Sequence, residues 1–380
     1  MTRSALSIIT IAIISLLSAC GGGGGGGGGG SSGPSLDTQA SITGANYDQV
    51  AGLAVRSNLL VADSPNYNNG YPAAVIGGFQ PTTVNVMNLS RVQLAEMQKS
   101  RPLNGSELPI GVRPVGDAGD STCPLGGTMN KTYTDALGAA DTDLDPVAND
   151  KLVINYTNCR VNLLQEANNC LTISEPNKEV TLNGTVTTLI ASVTSVAVYA
   201  AKLSYSNLKV EAVRNNAPVS STVNGSINIA LAATSPQITL STAGSEILRT
   251  QTGSEVEQLS NALIRYDDNQ QGCGPAAPNN SYAILPGSTG RVASSLLGYV
   301  DVSVTTALTG NSASGNSGFP GAGSVRVDGS GGTNMTISAL NDAGEVQLAI
   351  NGTNVNCPPN VKPKWSDVFA ENLRNPLGCQ

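Results

Sequence analysis

The chain has 380 residues, a formal charge of −7 and no histidine. Without imidazoles, Ser–His and Cys–His nucleophilic catalysis and histidine-ligated metal sites are excluded. No basic run with interleaved aromatics is present, which argues against a nucleic-acid partner. Hydrophobic residues make up 40% of the chain against 12% charged, enough for a large core.

The chain opens with one positive charge, Arg3, and an apolar run from Ala5 to Leu17. Leu17-Ser18-Ala19-Cys20 and ten glycines, Gly21 to Gly30, follow. This order resembles the signal of a bacterial lipoprotein: small residues let a peptidase approach the backbone, and the cysteine thiol takes the lipid. The apolar run is too short for a comfortable bilayer span. The resemblance implies removal of residues 1–19 as a signal peptide and acyl chains, palmitate-type, on Cys20. Two such chains suffice for stable anchoring. Gly21 stands where an aspartate often marks inner-membrane retention in this class, so the resemblance implies the outer membrane, on either its periplasmic or its surface face. Residues 20–35 then read as lipidated cysteine plus tether, and ten glycines span on the order of 17 Å. The polyglycine is not a phosphate loop, since no strand precedes it and no Gly-Lys-Ser/Thr follows.

Residues 36–121 read as an N-terminal helical segment. Asn46 is placed to cap a helix over Tyr47–Leu60, with Val50, Leu53, Ala54, Ser57 and Val61 on one face. A turn-rich loop runs from Asp63 to Gly70. Ser90–Lys99 fits a second helix, ended by Arg101-Pro102.

Residues 122–380 read as an antiparallel β domain. From Lys151 onward apolar residues alternate with polar ones: Leu152/Ile154/Tyr156, Ile227/Ile229/Leu231, Val302/Val304/Thr306, Met335/Ile337/Ala339 and Val346/Leu348/Ile350. This is the pattern of strands with one wet face. The parity flips between Tyr205 and Leu208, which predicts a bulge near Ser206-Asn207. The predicted fold is therefore mainly β (α+β), a large curved antiparallel sheet with one or two N-terminal helices packed on its inner face.

Asn-Gly occurs at 183–184, 224–225 and 351–352. Its usual reading is a hairpin turn, but apolar parity runs straight through the first two. Gly184 and Gly225 are therefore expected inside continuous strands, facing the core, with something close to their backbone. The helix at 47–60 is the expected occupant, and Asn183 and Asn224, on the wet face, are expected to tolerate valine. Gly352 is expected in a turn, because polar Asn354 follows in the inward register.

Cys20 aside, six cysteines remain: Cys123, Cys159, Cys170, Cys273, Cys357 and Cys379. An even number in an exported chain suggests full pairing, with fifteen connectivities open. Cys159–Cys170 would staple a hairpin, Cys357–Cys379 would clip the C-terminus, and Cys123–Cys273 would remain. No pair has the C-x-x-C spacing of a zinc site.

Several stretches belong together in character. They are Gly126-Gly127 beside Cys123, Asp141-Thr-Asp-Leu-Asp145, Tyr156-Thr-Asn-Cys159, Thr181–Val186, Phe319–Val327, Met335–Leu340, Glu345–Asn351 and Lys364-Trp-Ser-Asp367. Together they resemble an uncharacterised β-rich group of proteobacterial lipoproteins. Members often carry Asp-Gly-Asp-Gly after the penultimate strand, where this chain has Asn351-Gly-Thr-Asn. The resemblance implies no activity, cofactor or ligand.

Asp141, Asp143 and Asp145 have the spacing of the first three calcium-loop ligands. Pro146 then replaces the bending glycine and Leu152 the bidentate glutamate, so no metal is assigned. Glu255, Glu257, Asp267 and Asp268 are the carboxylates a glycosidase would draw on, but they read as turn and surface acids. The chain is expected to have no enzymatic activity and no cofactor. Two roles follow: a structural or interaction module of the envelope, or a carrier of an apolar ligand between sheet and helix. The expected partners are the membrane, through the lipid, and an unidentified protein or apolar ligand.

Overall fold

The alternating pattern becomes one antiparallel sheet of sixteen strands. A computed structural model describes residues 35–61, 119–134, 136, 148–162, 179–195, 198–214, 217–231, 237–251, 255–268, 281–311, 320–369 and 371–380. The strands are β1 (Gly119–Thr122), β2 (Thr128–Thr134), β3 (Lys151–Asn162), β4 (Glu179–Ser195), β5 (Val198–Arg214) and β6 (Ala217–Leu231). Then come β7 (Gln237–Ser241), β8 (Glu246–Gln251), β9 (Val256–Asp268), β10 (Ser281–Ile284) and β11 (Thr289–Ser294). The last five are β12 (Gly298–Asn311), β13 (Ala322–Asp328), β14 (Asn334–Ala339), β15 (Val346–Ile350) and β16 (Thr353–Asn354). Among the described residues the α-helices are α1 (Tyr47–Val61) and α2 (Trp365–Phe369).

The connectivity is a meander. β7 and β8 both lie between β6 and β9, so they are two halves of one interrupted span; β10 and β11 stand likewise between β9 and β12. β1 begins at Gly119, so the sheet already starts inside the segment expected to be helical. The second expected helix, Ser90–Lys99, lies outside the described residues.

Side chains alternate as the sequence predicts. Val180, Leu182, Val186, Thr188 and Ile190 of β4 are buried on one face, as are Leu152, Ile154 and Tyr156 of β3 and Val223, Ile227 and Ile229 of β6. Apart from Ser226 of β6, the intervening positions are at least partly exposed. At roughly 25 cal/mol per Å² of apolar surface removed from water, this face carries the main driving force for folding.

α1 starts where the sequence places it. Asn46 precedes it, and the Asn46 carbonyl accepts the first helical bond from Val50 N–H at 3.0 Å. The Asn46 side chain turns backward instead of capping forward: its Oδ1 accepts from Thr43 N–H at 2.8 Å. The expected single apolar face is too narrow a description. Tyr47, Val50, Ala51, Leu53, Ala54 and Val55 are all buried, so this stretch is enclosed on most sides.

The expected contact between α1 and Gly184 and Gly225 is not found. The principal neighbours of α1 are α2, β11, β12 and β14, whereas the two glycines sit in β4 and β6. Both are inside continuous strands, as expected, with φ of 112° and 110°. What presses on them is the next strand's main chain. A β-carbon on Gly184 would run into the Asn207 carbonyl of β5, and one on Gly225 into the Glu246 carbonyl of β8. A positive φ combined with so close an approach admits only glycine.

The Asn207 carbonyl belongs to a register shift, whereas Glu246 opens β8 after the break that follows β7. β5 bulges between Tyr205 and Leu208 opposite β6, with Asn207 at φ 48°. β3 bulges between Tyr156 and Cys159 opposite β4, with Asn158 at φ 46°. The bulged N–H groups are satisfied from the following strand: Asn158 N–H donates to Asn183 Oδ1 and Asn207 N–H to Asn224 Oδ1, each at 2.8 Å. Each Asn-Gly therefore has two jobs. The asparagine side chain satisfies the bulge on the preceding strand, and the glycine makes room for the bulge or break on the following one. Asn351-Gly352 is different. It forms the turn between β15 and β16, with φ of 48° and 79°, the left-handed pair of a tight hairpin.

The C-terminal clip holds: Cys357 is bonded to Cys379. The other two expected pairs do not form, because Cys123 is bonded to Cys159. The β1–β2 turn lies against the β3 bulge, with Arg160 N–H donating to Gly126 O at 2.8 Å and Leu125 N–H to Arg160 O at 3.0 Å. That contact puts the two cysteines together. Cys170 and Cys273 lie outside the described residues.

Candidate functional site

Cys20 and the calcium candidates Asp141, Asp143 and Asp145 lie outside the described residues. Among the described residues, no group of three or more Cys, Asp or Glu is arranged to hold a metal ion, and no helix is long and apolar enough to cross a membrane.

The four carboxylates are divided by β9. Glu255 and Glu257 stand at its start, Asp267 and Asp268 at its end. Ten residues at about 3.3 Å each separate Glu257 from Asp267 by roughly 33 Å, far beyond the ~5–9.5 Å of a glycosidase pair. Glu255 accepts a hydrogen bond from Ser294 Oγ at 2.7 Å. Glu257 is not a surface acid: it is buried and forms an ion pair with buried Arg249 on β8, directly opposite. Removing one member would leave an uncompensated charge in the interior.

The segment that leads in from the N-terminus is pinned at the start of β12 and the β13–β14 turn. Gln39 bridges Tyr299 in parallel. Ala40 N–H donates to Tyr299 O and Tyr299 N–H to Thr38 O, each at 2.8 Å, and Ser330 N–H donates to Ala40 O at 2.8 Å. Ile42 N–H donates to Thr333 Oγ1 at 3.0 Å. A side chain at Gly298 would meet the Thr38 carbonyl, so this glycine admits the arm. Beside it, Arg291 is held twice by Asp301, at 2.8 and 3.0 Å, and lies over the Tyr299 ring at 3.8 Å from its centre. The hydrogen bond with Asp301 holds the guanidinium proton more firmly than usual.

The arm leads into α1, which the C-terminus covers. Tyr47 Oη donates to Cys379 O at 2.9 Å, and the Arg374 guanidinium donates to Ala45 O. Burial, and next the neighbouring Asp48 carboxylate, push the Tyr47 phenol up to about 12; Arg374 acts against them. Asn356 and Gln380 exchange backbone hydrogen bonds at 2.8 Å. Trp365 Nε1–H donates to Pro320 O at 2.8 Å. A cleft of about 240 Å³ lies between β15 and this C-terminal stretch, lined by Leu348, Val355, Pro358, Val361, Pro363 and Leu373 among others. Just before β15, hydrogen bonding from Asn341, with Lys362 adding to it, holds the Glu345 carboxyl below its ordinary value.

The sheet ends are handled differently. β1 pairs with β2 over four residues. At the other end β16 is two residues long, and beyond it Pro363 O accepts from Val346 N–H at 2.8 Å. A short edge strand and a proline-bearing loop discourage pairing with another sheet.

No family model, curated protein or solved structure matches this chain.

Proposed function

We propose that this chain is a lipid-anchored lipoprotein of the bacterial envelope, held in the outer membrane through Cys20, with a structural or interaction role and no catalytic one. The observation that carries the reading is the Leu17-Ser18-Ala19-Cys20 box after a short apolar run. Two features of the fold support it. The first described residues are fastened to the sheet, so a pull on the N-terminus is transmitted into β12 and the β13–β14 turn. The exposed strand faces and the edges also offer contact surface, while buried Glu257 is engaged by Arg249. The cleft beside β15, at about 240 Å³, falls below the ~300–1,000 Å³ usual for ligand pockets and lends no weight to an apolar-ligand carrier.

The test is Cys20→Ala followed by fractionation. The unmodified protein is expected with the outer membrane and the variant in the soluble or inner-membrane fraction. A variant that stays in the outer membrane as before would overturn the anchor.

A further inference from the structure

We propose that the Cys357–Cys379 bond is a reducible latch: a dithiol reductant enters by the cleft beside β15, attacks Cys357, and so lifts the C-terminal strap of residues 371–380 off α1. This goes beyond the role proposed above and does not depend on the lipid anchor.

The first observation is access. Cys123 and Cys159 are both enclosed, at 4% and 0% exposure. Cys379 is enclosed as well, but Cys357 is partly exposed and lines the cleft, with Pro358 and Val361 beside it. Thiol–disulfide exchange depends on which sulfur a thiolate can reach. Here that sulfur belongs to Cys357, and Cys379 is the leaving group. The thiolate bonds to Cys357 Sγ, the Sγ–Sγ bond breaks, and its electron pair goes to Cys379. The second thiol of the reductant then displaces Cys357, and the reductant leaves as a disulfide. Two electrons and two protons pass from the dithiol to the two cysteines.

The second observation is what the bond holds. It closes a stretch with a sequence separation of 22, and the helix among its described residues is the five-residue α2. Residues 371–380 form no helix or strand, and of their side chains only Leu373 and Cys379 are buried. Hydrogen bonds supply the rest of the hold. Cys379 N–H donates to Leu373 O at 2.8 Å, Gln380 pairs with Asn356, and Tyr47 Oη and Arg374 join the strap to α1 and to Ala45 before it. A segment with so little buried apolar surface is poorly ordered without a covalent tie. The residue that carries the tie is also the one whose carbonyl accepts from the buried Tyr47 phenol. Sulfur chemistry and the cover over the helix therefore meet at Cys379.

The Cys123–Cys159 bond supplies an internal control. Cys123 directly follows β1 and Cys159 lies within β3. Strand pairing with β2 and β4 holds the chain on both sides of that bond, so cutting it would free no comparable segment.

The test uses the full, oxidised chain under dithiothreitol, with timed alkylation by iodoacetamide and peptide mapping. Cys357 and Cys379 are expected to be labelled at least about ten-fold faster than Cys123 and Cys159. With the monothiol glutathione instead, the trapped adduct is expected on Cys357. Hydrogen exchange is then followed in dithiothreitol at a time when only the C-terminal bond is reduced. It is expected to rise in peptides over residues 41–55 and 371–380 and to stay unchanged over β3–β6. Equal labelling of the two bonds, or a glutathione adduct on Cys379, would overturn the route through the cleft and the proposal with it. Unchanged exchange over residues 41–55 would show that the strap stays shut without its bond. A rise over β3–β6 as well would make the bond a staple of the whole fold, and either result overturns the latch. The double variant Cys357→Ser, Cys379→Ser is expected to show the open pattern without reductant; a closed pattern, or global unfolding, would count against the latch in the same way.

Discussion

The sheet is held in two different ways along its length. From β3 to β6 the strands are long, and their registers are locked by main-chain features: a bulge, a glycine that makes room for it, and an asparagine that satisfies it. From β11 to β15 the strands are mostly shorter and are organised around α1, α2 and a disulfide-clipped C-terminus. The first region depends on where the backbone goes. The second depends on what fills the space beside it. The same kind of mutation should therefore have different effects in the two regions.

The largest effect is expected from Gly184→Val or Gly225→Val. Each combines a disfavoured positive φ with a β-carbon driven into a neighbouring carbonyl, and together these should cost about 3–5 kcal/mol. Urea unfolding would read this as a large drop in midpoint; a near-normal midpoint would mean the bulges can slide. Leu53→Ala tests the other region. Leu53 is fully enclosed in α1, and the cavity left behind should cost about 2–5 kcal/mol by the same measurement.

A smaller loss, about 1 kcal/mol, is expected for Asn183→Val and Asn224→Val, because each bulge N–H loses its acceptor. Valine is the better strand former, so a neutral or stabilising result would show that solvent replaces the amide. The last effect concerns Tyr47 and shows only at alkaline pH. Its folded pKa is raised above the ordinary value of 10.0 to about 12, so the folded state holds the proton longer than the unfolded one. The stabilisation is complete below pH 10 and is lost as pH rises through about 12. Comparing unfolding midpoints across that window, Tyr47→Phe should flatten the fall, and an unchanged slope would assign it to other groups.

The strand alternation and the bulge at Ser206-Asn207 were legible because both are local: a face repeats every second residue, and an extra residue flips it. The partner of each glycine was not, because which strand presses on Gly184 depends on register with residues some twenty positions away. The same non-local step hid the Cys123–Cys159 bond, which follows from the β1–β2 turn meeting the β3 bulge. It also hid the use of Asn183 as a bulge acceptor, which alternation alone assigns to the wet face. α2 was missed because five residues cannot show a helical period; its one local signal is Asp367, whose carboxylate accepts from Lys364 N–H at 2.8 Å. Among the acid candidates, the burial of Glu257 had no sign in the sequence other than its inward parity with Leu259, opposite Arg249.

The meander also fixes how this fold can change size. Each strand is bonded to the strands that precede and follow it in the chain, or to the next beyond where a span is interrupted. A hairpin removed or duplicated in the middle would leave every other pairing with its old partner type, so length can vary in steps of two strands. The repeated bulge imposes a condition on such a step. A new pair inserted after β4 would have to bring its own bulged strand and its own Asn-Gly strand, since Gly184 makes room for the first and an asparagine on the second must satisfy it. Relatives of different length would then differ by whole units that carry one such asparagine and one such glycine each, while the pinned arm, α1 and the C-terminal clip stayed constant in number.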